Sequence, residues 1–287
     1  MITDWYNKMK SKLASALKNV SPITIKIEDD KSNITSSSTT LSDNESEVNN
    51  VNNSTKQESK PEPVEIKIHK PIYEYAHGKK FKSTPSWIVV HYTACINVGA
   101  KAMCKAMKGN DGASSHFYID DKDIYQGVPL DYVAWHVGDG KCKQPAAYNK
   151  MSLEDLCKFV AKDWRYDLAA YNHLQWKENG EDFAGNVVSI GVDMCVWKHS
   201  KDSKKATDTD WYFKDEAVEN LAKTVAYLAN KYNISIDHII RHADATGKLC
   251  PRPFVSILSD MNGDAKWEEF KDKVSDYMKN GVNVKFI

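Results

Sequence analysis

The sequence predicts an α/β fold, a mixed central β-sheet flanked by helices. Three observations predict it. Short β-branched runs recur along the chain, and two of them, at 86–92 and 186–195, read as strands, the first apolar enough to be buried. Between and after such runs lie segments of helical period, clearest at 213–232. Two further runs, 115–119 and 124–128, flank Asp120-Asp121-Lys122-Asp123, whose polar residues suit a hairpin turn. Strands and helices that alternate in this way form a sheet covered by helices.

Each element has its own warrant. In residues 1–20, Trp5, Met9, Leu13 and Leu17 recur every four positions among lysines. This amphipathic basic helix, part of an N-terminal segment over 1–29, suits a membrane surface or a virion or protein partner, or no target at all. Residues 30–65 are rich in Ser, Asn, Thr and Glu with almost no large apolar residue. Such a stretch buries too little surface to offset its ordering entropy, so a flexible, disordered linker is expected. The globular domain is expected over 66–287. Within it, 86–92 is a strand, 100–108 a short helix, 115–119 and 124–128 a hairpin, and 186–195 another strand. Val218, Leu221, Ala222, Val225, Leu228, Ala229 and Tyr232 make one continuous apolar face on the helix at 213–232. A short strand at 236–241 carries His242 at its end, and an amphipathic helix at 267–278 closes the domain.

A helical insertion is expected at about 142–184. Ser152 suits its N-cap, ahead of Leu153, Leu156, Cys157, Val160 and Trp164. Its dense aromatics, Trp164, Tyr166, Tyr171, Trp176 and Phe183, either line a groove or pack a small core of their own.

Composition excludes several classes. The chain has 287 residues, with 39 Lys and Arg against 39 Asp and Glu, so the formal net charge is zero. No basic surface is implied, and nucleic acid is a poor partner. No run of eighteen apolar residues is present, so no transmembrane segment is expected. Met1-Ile2-Thr3-Asp4-Trp5-Tyr6 lacks the basic start and apolar core of a signal peptide, which makes the cytoplasm the expected place of synthesis. The six cysteines show no C-x-x-C pair. In a reducing compartment they are thiols; a Cys95–Cys104 bridge is an alternative after release.

The chemistry concentrates in Arg241-His242-Ala243-Asp244-Ala245-Thr246-Gly247-Lys248-Leu249-Cys250-Pro251. Imidazole and thiolate are preferred zinc ligands. The lysine between them adds a cation beside a metal, which suits stabilisation of a developing oxyanion better than a structural site. His91, at the end of the apolar run Trp87–Val90, is the candidate third ligand. Three protein ligands leave a fourth position for water, the pattern of a catalytic zinc.

Five segments extend this pattern: W-I-V-V-H-Y-T-A (87–94), A-S-S-H-F-Y-I-D-D-K-D-I-Y-Q-G-V-P (113–129), V-A-W-H-V-G-D-G (133–140), S-I-G-V-D-M-C (189–195) and R-H-A-D-A-T-G-K-L-C-P-R-P-F (241–254). In order and kind they resemble the zinc-dependent N-acetylmuramoyl-L-alanine amidases shared by phage endolysins, bacterial autolysins and peptidoglycan recognition proteins. The resemblance spans roughly 68–280 and implies an amidase-like or peptidoglycan-recognition-like fold. It implies Zn2+ held by His91, His242 and Cys250, Lys248 stabilising the transition state, and Asp193 as general base. The phage branch has glutamate at that last position, one methylene longer. Other members use a tyrosine just before the histidine of the second segment, where this chain has Ser115, so the base role rests on Asp193. Trp135 and His136 fall in a segment that lines the substrate groove in relatives, whereas His116 suits a structural hydrogen bond. His69, His77, His173, His199 and His238 have no partner pattern and are expected to be solvated or capping.

The implied activity is hydrolysis of the amide between the lactyl group of N-acetylmuramic acid and L-alanine in bacterial peptidoglycan. The implied setting is an endolysin acting on the wall after release, with a virion-associated lysin or an autolysin as alternatives. A non-catalytic peptidoglycan-binding module is the rival of another class. Relatives of that kind typically lack the cysteine ligand, and Cys250 is present.

Overall fold

The computed structural model describes residues 62–70, 77–110, 112–139, 183–201, 203–206, 208–256, 260 and 262–287. The expected N-terminal helix, nearly all of the linker and nearly all of the insertion, with Trp164, Tyr166, Tyr171 and Trp176, lie outside the described residues. So do His173, Cys142 and Cys157.

The strands are β1 (Val64–Ile68), β2 (Trp87–Ile96), β3 (Phe117–Ile119), β4 (Ile124–Gln126), β5 (Ser189–Lys198), β6 (Trp211–Tyr212), β7 (Ile239–Arg241) and β8 (Val282–Phe286). The helices are α1 (Ala100–Ala106), α2 (Asp215–Tyr232), α3 (His242–Thr246) and α4 (Gly263–Asn280). The main sheet runs β4-β3-β5-β2-β7, with β6 paired to the far end of β5. The β2–β5, β2–β7 and β3–β5 pairs are parallel; β3–β4 and β5–β6 are antiparallel. The sheet is therefore mixed, as expected, and the turn at 120–123 closes the β3–β4 hairpin. There Asp120 Oδ1 accepts the backbone N–H groups of Lys122 and Asp123.

Strand alternation assigns the two faces of the sheet. Ile88, Val90, Ile190, Val192, Phe117 and Ile119 join one core cluster with Leu221, Val225 and Leu228 of α2 and Trp267, Phe270 and Val274 of α4. Helix α2 buries Leu221, Ala222, Val225, Leu228 and Ala229 of the predicted stripe, with Val218 and Tyr232 partly buried, and its ends obey local rules. Asp215 and Glu216 occupy its first turn, and Asn233 terminates it in a left-handed conformation, φ 54°. On the opposite face, one row crosses the sheet in register: Tyr125 to Tyr118, Tyr118 to Asp193, Asp193 to His91. Parallel register thus sets the candidate base beside a candidate ligand.

Several elements differ from expectation. Strand β5 begins at Ser189, because 185–188 form a 3-10 turn. In that turn Asn186 directs its side chain to the backbone of His136 and Val137 instead of extending a ladder. Strand β2 continues to Ile96 through an irregularity after Tyr92, next to the candidate site. The predicted strand 236–241 divides into a 3-10 turn and a three-residue strand, so His242 opens helix α3 instead of ending a strand.

Strand β1 starts at Val64, before the expected boundary at 66, and pairs in parallel with β8. Both strands alternate apolar with polar residues. That period-two signal was legible, but the pairing spans nearly the whole domain. Two of the histidines expected to be solvated or capping have side-chain partners. His69 contacts Asp123 at 3.0 Å and stacks on Tyr125. His238 stacks on Trp87 at 3.9 Å. Phe183 packs edge-on against Trp87, a core contact rather than a groove contact. Cys95 and Cys104 are not joined in a disulfide, nor are Cys195 and Cys250.

Candidate active site

Three chain segments deliver the donor atoms. His91 comes from the middle of β2, where Trp87–Tyr92 is entirely buried. His242 comes from the first turn of α3. Asp244 in that turn accepts the N–H of Arg241 at 2.9 Å, which caps the helix start. Helix α3 is only five residues long because Gly247 turns left-handed, φ 77°. That turn folds Lys248-Leu249-Cys250 back over the helix, and Cys250 O accepts the N–H of Ala243 at 2.8 Å. A side chain at Gly247 would be strained in this conformation.

The ligand atoms of His91, His242 and Cys250 lie within 4.8 Å of one another, and all three residues are buried. His91 Nδ1 is 3.0 Å from His242 Nδ1 and 3.8 Å from Cys250 Sγ. Metal bonds of about 2.0–2.3 Å would put tetrahedral N and S donors roughly 3.3–3.8 Å apart. The cluster fits one metal ion, and two imidazoles with one thiol suit a borderline-soft cation.

Burial lowers His91 well below the ordinary histidine range, helped by His242, His136 and Lys248, so the imidazole is neutral. Burial pushes the Cys250 thiol up to about 12, against the pull of Lys248. A cation entering the cluster would take the place of that proton, so metal binding would release it.

The same cleft is lined by Asp193 and Lys248, together with Thr93, Met103, Met107, Ser114, Tyr118 and Trp135. Burial raises Asp193 to about 6, opposed by Ser115 and by the Lys248 ammonium. Lys248 is exposed at the rim, and its charge reaches His91, Asp193 and Cys250 alike. The five residues read from the motifs, His91, Asp193, His242, Lys248 and Cys250, therefore meet in one cleft.

Trp135 and His136 line it too, but in different ways. Trp135 is half-buried and cross-linked to Ser114 through backbone and hydroxyl bonds of 2.9 and 3.0 Å. His136 has both ring nitrogens engaged inside the protein: Nδ1 lies 3.0 Å from His91 Nε2, and Nε2 lies 3.4 Å from Ser189 O. Burial, with His116 nearby, lowers its pKa to about 3, so the ring is neutral. Its backbone is clamped by Asn186 Oδ1, which accepts the N–H groups of His136 and Val137 at 3.1 and 2.8 Å. His116 has the structural role expected of it. Its Nε2 donates to Tyr132 O at 2.9 Å and its Nδ1 accepts the Gly191 N–H at 3.0 Å.

Two features escaped the motif reading. Tyr118 reaches the cleft, and its hydroxyl accepts the Ser115 N–H at 3.1 Å. Its place three residues after Ser115 was visible, but only the strand register turns it towards Asp193. Arg241 is buried and bonds Asp244, Asp264 and Phe254 O, tying α3 to α4. An arginine beside a histidine carries no such signal in sequence.

A mixed sheet with a His-His-Cys cluster that could hold a metal ion, and with a carboxylate and a lysine beside it, defines a class of α/β proteins with a candidate metal site. Within that class the chain belongs to the N-acetylmuramoyl-L-alanine amidase family, whose model matches residues 81–253. Similar proteins include the N-acetylmuramoyl-L-alanine amidase CwlL of Bacillus licheniformis, 29% identical over 200 residues, covering 67% of this chain and 41% of that protein. The N-acetylmuramoyl-L-alanine amidase XlyA of Bacillus subtilis (strain 168) is 27% identical over 194 residues, covering 67% and 44% respectively. The chain thus spans less than half the length of either relative. Among solved structures, that of the PlyG catalytic domain matches 74% of this chain and 96% of its own, at 25% identity and a TM-score of 0.46.

Proposed function

We propose that this protein is a zinc-dependent peptidoglycan hydrolase that cleaves the amide between the N-acetylmuramic acid lactyl group and L-alanine. The observation that carries the reading is the meeting of His91, His242 and Cys250 with Asp193 and Lys248 in one cleft. Membership of the amidase family supports the bond and the substrate. A recognition module would need neither a carboxylate nor a lysine beside the donors.

His91, His242 and Cys250 would hold the zinc ion. When bound, zinc supplies a Lewis acid and lowers the pKa of water at the site towards about 7. Asp193 accepts a proton from the attacking water, and Lys248 faces the negative charge that develops on the carbonyl oxygen. Asp193 then returns its proton to the departing amine of L-alanine. Trp135, at the cleft wall, offers an aromatic face to the glycan or the stem peptide. The wall of a bacterial cell is the site of action, reached after release of the protein as in an endolysin.

Purified peptidoglycan digested with and without a zinc chelator, then analysed by mass spectrometry, tests this. New L-alanine amino ends with intact glycan, lost on chelation, are the expected result. Cleavage of a glycosidic or cross-bridge bond, or binding without cleavage, would overturn it.

A further inference from the structure

The carbonyl of Ser189 decides where a proton sits two side chains away. A backbone carbonyl can only accept, and it lies 3.4 Å from His136 Nε2, so that nitrogen carries hydrogen. In a neutral imidazole the other nitrogen is then an acceptor. His136 Nδ1 lies 3.0 Å from His91 Nε2, which must therefore donate. The remaining lone pair of His91 is on Nδ1, the atom that faces His242 Nδ1 and Cys250 Sγ.

We propose that His136 is the positioning residue of the metal centre, fixing the tautomer and ring plane of His91, with Ser189 fixing His136 in turn. The inference rests on the reading of His91 as a metal ligand. The opposite direction of the chain fails at both ends. It would put a hydrogen on His91 Nδ1, in the middle of the donor cluster, and turn a lone pair of His136 onto the Ser189 carbonyl.

The Ser189 hydroxyl agrees with the direction assigned. Its Oγ donates to Gly185 O at 2.8 Å and can accept from His136 Nε2 at 3.3 Å. The two rings meet edge-on, 84° between planes, which suits an in-plane N–H to lone-pair bond. Gly191 leaves the space the ring needs: a Cβ there would clash with His136 Cγ. Histidines that bind metals commonly donate their second N–H to a carboxylate, a carbonyl or water. In this chain an imidazole takes that place, itself held by a carbonyl.

The test measures zinc affinity of the full chain by competition with a chromophoric chelator, alongside kcat, KM and thermal melting. His136→Phe keeps an aromatic ring but removes the acceptor, and is expected to weaken zinc binding about 10–100-fold. His136→Gln restores an acceptor oxygen and should recover most of that loss. Zinc affinity of His136→Phe within about twofold of the parent would overturn the proposal. So would a rise in KM with unchanged zinc affinity, which would make His136 a substrate contact.

Should His136→Phe not fold, long-range 15N–1H spectra of the zinc-loaded parent decide the matter. Hydrogen on Nε2 of both His91 and His136 is expected, and hydrogen on Nδ1 of His136 would overturn the assignment. A chain that binds zinc through this arrangement but leaves peptidoglycan intact would sink the amidase reading and leave this one standing.

Discussion

Asp193 sits between opposed influences. Burial disfavours its charge and raises it to about 6, while Ser115 and Lys248 favour the ionised form. A general base acts only when ionised, so kcat/KM should fall as pH drops through the carboxyl's titration. A cation in the adjacent ligand cluster favours the carboxylate further, which places that acid limb at about 6 or below. Asp193→Asn should retain zinc and lose roughly 10²–10⁴-fold in kcat. A pH–rate profile with metal analysis checks both, and an acid limb that persists in Asp193→Asn would remove the residue from the base role. Lys248 acts differently because it is exposed at the rim and is no ligand. Lys248→Ala should keep full zinc occupancy and lose about 10²–10³-fold in kcat, the cost of one oxyanion partner. A change confined to KM would mean that the ammonium binds the ground state instead.

At the scale of elements, β5 does the most positioning. Its alternation puts Ser189, Gly191 and Asp193 on the same side of the sheet as His91, with Asp193 lining the cleft, and Ile190 and Val192 in the core. Of these three residues, Ser189 holds His136, Gly191 makes room for its ring, and Asp193 supplies the carboxylate. Gly191→Ala probes the room left for the ring. The new methyl group would stand under 3 Å from three ring atoms of His136, so the ring must move away from His91. Zinc affinity should fall by at least about tenfold. Unchanged affinity in a titration of Gly191→Ala would show that the ring can shift without releasing the ligand. Helix α3 depends instead on Arg241, whose guanidinium bonds Asp244 at 2.8 Å and the Phe254 carbonyl at 2.7 Å. Through that residue, the orientation of His242 is tied to the packing of α4.

For the whole molecule, a metal held by the proposed ligands would couple to the fold. The three donors come from β2, α3 and the loop after it, with more than 150 residues between His91 and Cys250. An ion that binds all three belongs to the folded state alone and stabilises it by mass action, about 2.7 kcal/mol at a free concentration a hundred times Kd. For a domain of this size that corresponds to roughly 5–10 °C. Calorimetry before and after chelation should show a drop of that order, and an unchanged midpoint would mean that the cluster binds no metal that matters to the fold.

The sequence by itself named the candidate donors, the carboxylate and the lysine that the fold brings into one cleft, because the chemistry of His, Cys, Asp and Lys and their order along the chain are properties of the sequence. It determined the sheet-and-helix class and the buried faces of β2, β5 and α2, because period-two and 3.6-residue patterns are local. The tertiary structure alone decided that β1 pairs with β8, that Arg241 ties α3 to α4, and that His136 turns its nitrogens to His91 and Ser189. Those contacts join residues from 23 to well over 200 positions apart. They depend on strand register and on the absence of a Cβ at Gly191, which no periodicity of the local sequence records.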